Sequence, residues 1–158
     1  MIEKLSIVNS ELKRTGVFTG SFDPFTIGHD NIVRRALALF DRLVIGVVES
    51  NVHKEHAASA EERRKAIAAV YANEPRVEVK VYGDLAVDFA HREGARYIIK
   101  GVRSVKDFEY EQEMAEINRN INGTETLLLL ADPSLAYISS SMVRELRHYG
   151  KDISMYLP

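Results

Sequence analysis

Ten consecutive residues hold the densest chemistry in the chain: Gly20-Ser21-Phe22-Asp23-Pro24-Phe25-Thr26-Ile27-Gly28-His29. Two glycines and a proline mark them as a loop. The loop stands between a strand-like run and a helix-like run, so it opens onto a helix N-terminus. That terminus offers free backbone N–H groups and partial positive charge, which favour a phosphate. Gly28 lets backbone or phosphate approach closely, and the imidazole of His29 can donate hydrogen bonds to phosphate oxygens as charge builds in a transition state. Ser21 adds a hydroxyl. A bare Gly-His pair is more often a turn beside a surface histidine, and only the ten-residue context raises it above that.

Three further clusters carry suitable groups. Lys54 lies among polar residues 51–56, where a solvated lysine is the bland alternative. His53 and His56 flank it, but no carboxylate or cysteine spacing completes a metal site, and none is expected. Lys100 and Arg103 bracket Gly101 and Val102, and two cations around a glycine at a strand end suit a polyphosphate. The alternative is a pair of unrelated surface cations. Ser139, Ser140 and Ser141 follow Ile138, and simple helix capping explains one serine but not three.

The elements that must position these groups alternate between strand and helix. Strands are expected at Arg14–Thr19, Leu43–Val48, Val77–Val81, Tyr97–Ile99 and Leu127–Ala131. A helix from about His29 to Phe40 shows apolar residues at three- and four-residue spacing. Ser59 and Glu62 form an S-x-x-E capping box for a helix reaching Tyr71. Asp84 is expected to cap a helix over 85–92 that stops at Gly94, and Ser104 with Asp107 to open one reaching Asn120. Phe108, Met114, Ala115 and Ile117 are its expected buried face, and a last helix runs from Ser141 to His148. The pattern predicts an α/β fold: a single-domain, doubly wound, five-stranded parallel sheet over residues 14–158, with residues 1–13 as an extension. Ligands of such sheets bind beyond the carboxyl ends of the strands, which selects the loops at 20–28, 49–58, 100–106 and 132–141.

Composition narrows the class. The 158 residues are 46% hydrophobic and 28% charged, as in a soluble globular domain. No cysteine is present, which excludes disulfides and thiolate metal sites. No apolar run reaches membrane-spanning length, residues 1–13 lack a signal-peptide core, and the cytoplasm is the default compartment. A net charge of −2 argues against a nucleic-acid binder.

Gly-Ser-Phe-Asp-Pro followed by Thr-x-Gly-His resembles the nucleotidyltransferase superfamily with the (H/T)xGH signature. With Asp107-Phe108-Glu109-Tyr110-Glu111 and Ile138-Ser139-Ser140-Ser141, it is similar to the phosphopantetheine adenylyltransferases from about Thr15 to Pro158. The resemblance implies a Rossmann-like fold and the reaction of ATP with 4′-phosphopantetheine to give dephospho-coenzyme A and pyrophosphate. It implies His29 as transition-state stabiliser. It places ATP against Ser21, Phe22, His29, Gly101, Val102, Arg103, Glu111 and the segment Leu135, Ala136, Tyr137, Ile138, Ser139, Ser140 and Ser141. It places the acceptor against Ser21, Lys54, Ala86 and Lys100. Lys100 departs from the arginine usual there, so a bidentate grip is lost. Mg²⁺ held mainly by the ATP phosphates, a homohexamer, and coenzyme A as feedback inhibitor are also implied. A sister transferase using nicotinate mononucleotide or a cytidylyl donor, and a nucleotide-binding regulator without chemistry, are the rival readings.

Overall fold

The structure is a computed structural model that describes residues 13–49 and 57–158. Five strands are present: β1 (Thr15–Gly20), β2 (Arg42–Val48), β3 (Val77–Tyr82), β4 (Tyr97–Val102) and β5 (Glu125–Leu130). Between and after them come α1 (Ile27–Ala36), α2 (Ala60–Val70), α3 (Ala86–Arg92), α4 (Val105–Asn122) and α5 (Ser140–His148). All neighbouring strands pair in parallel, in the order β3-β2-β1-β4-β5. The expected α/β architecture is therefore present.

Each face of the sheet has its own core, because successive side chains of a strand point to opposite faces. Phe18, Leu43, Ile45, Val47 and Ile99 pack with Ile32, Val33 and Ala36 of α1 and Ile67 of α2. Val17, Val44 and Ile98 point the other way and pack with Val87, Phe89 and Ala90 of α3. Gly46 is a place where glycine is required for space. A Cβ there would come 2.5 Å from Phe89 Cε1.

The strand order reverses beside β1, and the crevice opens there. β1 and β4 are in register only at Gly16–Tyr97, Val17–Ile98 and Phe18–Ile99. Both strands continue, to Gly20 and Val102. They part beyond Phe18 and Ile99, and Lys100 Nζ reaches across the split to the carbonyl of Thr19 at 3.1 Å. A topological switch point at the carboxyl edge is where open parallel sheets take their ligands.

Four expectations are corrected. β4 does not end at Ile99: Lys100, Gly101 and Val102 are strand, paired with Leu128, Leu129 and Leu130. Helix α1 starts at Ile27 and ends at Ala36, because Thr26 is its cap. Asp84 does not cap α3; Leu85 holds that position without a side-chain bond, and Asp84 instead pairs with Arg92. Helix α4 has no buried residue: Met114 and Ala115 are half-buried, while Phe108 and Ile117, nine residues apart and so on opposite sides of the helix, are exposed.

Candidate active site

The geometry of the 20–29 loop follows from Phe22. Its φ is +50°, a left-handed conformation that costs a non-glycine residue about 1 kcal/mol or more. Burial of the ring against Phe18 and Phe25, with centroids at 5.1 and 5.3 Å, offsets that cost. Gly20 makes room for it, since a Cβ there would stand 3.0 Å from the Phe22 ring.

Thr26 and His29 form a reciprocal capping box at the start of α1. The Thr26 Oγ1 accepts from His29 N–H at 3.4 Å, and the Thr26 N–H donates to His29 Nδ1 at 2.9 Å. The imidazole thus occupies the place usually taken by Glu or Gln. The bond also fixes the tautomer. Nδ1 accepts, so the proton of the neutral ring sits on Nε2 and is free to be donated. The ring stacks on Phe25 at 5.3 Å and meets Phe22 edge-on at 5.1 Å. Loss of hydration, then the positive charges of Arg103 and Lys100, hold its pKa down to about 4. At neutral pH His29 is therefore an uncharged donor rather than an acid or a base. Helix α1 is steadied at its next residue, where Asp30 accepts from Tyr71 Oη at 2.6 Å and Arg34 Nε at 2.7 Å.

The opposite wall comes from the end of β4 and the start of α4. Arg103 donates from Nε and from its backbone N–H to the same Asp107 oxygen, at 3.1 and 3.2 Å, and from Nη1 to the Ile138 carbonyl at 3.4 Å. Ser104 caps α4 through the Asp107 N–H at 3.2 Å, but Asp107 turns to Arg103 rather than completing a box. Arg103 is thereby aimed, with guanidinium N–H groups to spare.

The three serines have three separate tasks. Ser139 caps α5 by accepting from Met142 N–H at 3.1 Å. Ser140 Oγ donates to the Pro24 carbonyl at 2.8 Å and straps this segment to the motif loop. Ser141 Oγ accepts from Arg144 Nη2 at 3.3 Å, while Arg144 Nη1 donates to the Asp23 carbonyl.

These groups line one cleft of roughly 280 Å³. Two helix N-termini, of α1 and α5, open into it, and Lys100, Arg103 and Arg144 border it. Among sequence-expected residues, Ser21, Phe22, His29, Lys100, Gly101, Arg103, Glu111, Leu135, Ile138, Ser139, Ser140 and Ser141 line it. Val102 is buried and does not line it. Tyr137 points away, exposed, with its ring 6.5 Å from that of Tyr156, and Ala136 does not line the cleft. Ala86 begins α3 and packs against the second core instead. Lys54 lies outside the described residues. Asp23, Asn31, Asp132 and Arg144 border the cleft and were missed by sequence reasoning. Asp23 and Asp132 stand in two of the loops selected above, and Arg144 is a cation three residues beyond the serine run, whereas Asn31 left no signal.

No group of three His, Asp or Glu side chains that could cage a cation occurs among the described residues. The carboxylates at the cleft are Asp23, Asp107, Glu111 and Asp132, and Asp107 is already engaged by Arg103. This donor set fits an ion that arrives on a ligand's phosphates and keeps several waters, as Mg²⁺ does, better than one held by protein alone.

A crevice at the strand-order reversal, with helix N-termini and cations converging on it, defines an α/β enzyme that handles phosphate esters. A cytidylyltransferase-like family model matches residues 17–146. A phosphopantetheine adenylyltransferase of Bacteroides fragilis is 47% identical over 145 residues, covering 92% of this chain and 96% of that protein. Phosphopantetheine adenylyltransferases of Porphyromonas gingivalis and Flavobacterium johnsoniae are 46% and 39% identical, each with 92% of this chain and 95% of its own covered. The chain belongs to the cytidylyltransferase-like nucleotidyltransferases and, within them, to the phosphopantetheine adenylyltransferase family.

Proposed function

We propose that the protein transfers the adenylyl group of ATP to 4′-phosphopantetheine, forming dephospho-coenzyme A and pyrophosphate in coenzyme A biosynthesis. The observation that carries this reading is the single cleft that gathers His29, Lys100, Arg103 and the Ser139–Ser141 segment at the β1–β4 split. An acceptor phosphate oxygen attacks the α-phosphorus, a new P–O bond forms, and the bond from the α-phosphorus to the bridging oxygen breaks to release pyrophosphate. The nucleophile is already anionic, so no strong base is needed, in keeping with a neutral His29. Its Nε2–H donates to the α-phosphate oxygens as charge builds there, and the cations offset repulsion between the two anions. Arg103, Gly101, Glu111 and the 135–141 segment serve the nucleotide. Ser21, Lys100, Lys54 and the Ala86 backbone serve the acceptor. Mg²⁺, carried by the ATP phosphates, supplies further charge neutralisation when bound.

Three wider features belong to the same reading. Coenzyme A shares the pantetheine and adenylyl portions of the product, so it fits as a competing inhibitor. The reaction belongs where ATP is supplied, in the cytoplasm. A homo-oligomer, a hexamer on the family pattern, is supported by the exposed apolar face of α4. Tyr110 is 59%, Ile117 50% and Ile121 51% accessible there, at seven- and four-residue spacing on one side of the helix. The test of the activity is pyrophosphate release with ATP and Mg²⁺ against a panel of acceptors, with CTP as a control donor. Release that depends on phosphopantetheine is expected. Release with nicotinate mononucleotide instead, or none with any acceptor, would overturn the reading.

A further inference from the structure

Arg63 sits on α2 and does not line the cleft. Only 4% of it is accessible, unusual for an arginine. Among the described residues its guanidinium donates to main-chain carbonyls alone. Nε reaches the Ala58 carbonyl at 3.0 Å, Nη1 the Ser21 carbonyl at 2.5 Å, and Nη1 and Nη2 both reach the Val48 carbonyl at 3.1 Å. Burial works against its charge, and the nearby Asp23 carboxylate favours it.

The three carbonyls belong to three different places. Ser21 is in the motif loop, Val48 ends β2, and Ala58 precedes the cap of α2. A second tie runs parallel to the first: the Ala57 N–H donates to Asp23 Oδ2 at 2.6 Å. The loop bearing Ser21 is thus fastened to both the exit of β2 and the entrance of α2. A planar fork with several fixed N–H directions can join three carbonyls at once, and a lysine ammonium at the end of a flexible stem cannot reproduce that span.

We propose that Arg63 is a positioning residue for the acceptor half of the site, setting where Ser21 and Asp23 stand relative to the ends of β2 and α2. This rests on the functional reading above, in which Ser21 faces the acceptor. Arg63 touches no substrate, so its effect passes through the loop.

The test compares wild type with Arg63→Lys, which keeps the charge but not the fork, and measures kcat and KM for each substrate per folded protein. Amide hydrogen exchange at residues 20–23 and 57–58 is followed without ligand. The expected result is an acceptor KM raised about tenfold or more, an ATP KM within about threefold of wild type, and faster exchange at Ala57 and at Ser21–Asp23. A folded Arg63→Lys protein with wild-type acceptor KM and exchange overturns the proposal, as does an equal rise in both KM values. If Arg63→Lys does not fold, Arg63→Gln is read against the same numbers, and failure of both to fold overturns the positioning role in favour of plain stability. If wild type releases no phosphopantetheine-dependent pyrophosphate, the functional reading is what fails. Exchange then judges Arg63 alone, and unchanged exchange rejects it.

Discussion

His29 performs two tasks through two ring nitrogens, and two substitutions separate them. His29→Ala removes both: the Nε2–H aimed into the cleft and the Nδ1 that accepts the Thr26 N–H. Losing that arm of the capping box leaves the buried Thr26 amide without a partner, which costs about 2 kcal/mol. For a domain of this size a loss of that order lowers Tm by about 4–8 °C. Losing one transition-state donor lowers kcat by roughly 10²–10³. His29→Gln supplies the usual third-position partner of a capping box, so its Tm should stay within about 2 °C of wild type while kcat remains down by about 10². Scanning calorimetry and pyrophosphate release read the two quantities separately. Near-normal turnover in His29→Ala, or a Tm loss in His29→Gln as large as in His29→Ala, would refute the division of labour.

The same histidine fixes a pH dependence. Its pKa is about 4 in the folded protein, below the unbonded value of 6.5. The unfolded chain therefore binds more protons between those values, and stability rises with pH across that window. The contribution is present above pH 6.5 and is lost as pH falls through 4, by at most about 3 kcal/mol. Denaturant titrations from pH 7 to 4 should show His29→Gln losing less stability than wild type. Equal losses would place the effect on other groups.

Gly46→Ala presses a methyl group into the Phe89 ring, and overpacking of this kind costs about 1–3 kcal/mol. Tm should fall while turnover per folded molecule holds, and an unchanged Tm would show that Phe89 moves aside freely. Ser140→Ala cuts the strap to Pro24, and the ATP KM should rise about five- to tenfold with a smaller change for the acceptor. An acceptor-selective effect would assign the strap to the other half of the cleft. Ile117→Glu combined with Ile121→Glu, one turn apart, places charge on the exposed face of α4. Light scattering should show a smaller particle than wild type, and equal masses would remove that face from any assembly.

The motif loop was legible because two glycines and a proline restrict its backbone, with Gly20 under the Phe22 ring, whereas the capping role of Thr26 was not. The Ser59–Glu62 box was also legible, since the S-x-x-E spacing has one physical meaning. The role of His29 in its own capping box was not, because an imidazole rarely takes the place of Glu or Gln. Asp84 looked like a cap, but the pattern does not report that Arg92, two turns on, competes for the carboxylate. Gly101 fell in the expected 100–106 loop although it is strand. A Cβ there would come 3.1 Å from Ile32 Cγ1, so the glycine serves helix packing rather than bending. Phe108, Met114, Ala115 and Ile117 read as the core face of α4, but a turn of about 100° per residue sets Phe108 and Ile117 on opposite sides, and only Met114 and Ala115 are half-buried. Arg63 carries no signal in the sequence of an Arg- and Glu-rich helix, and only its three carbonyl partners distinguish it.

The early parting of β1 and β4 leaves peptide groups of Thr19–Gly20 and Lys100–Val102 facing one another without a ladder between them. Peptide groups are the same whatever side chain is attached, except that proline lacks the N–H. A small molecule that completed that missing ladder would rest on atoms that no exchange short of proline can delete. Otherwise, resistance to such an inhibitor would have to arise by filling space, as at Gly20 or Gly101, where the rings and methyls next door already leave no room for a new side chain.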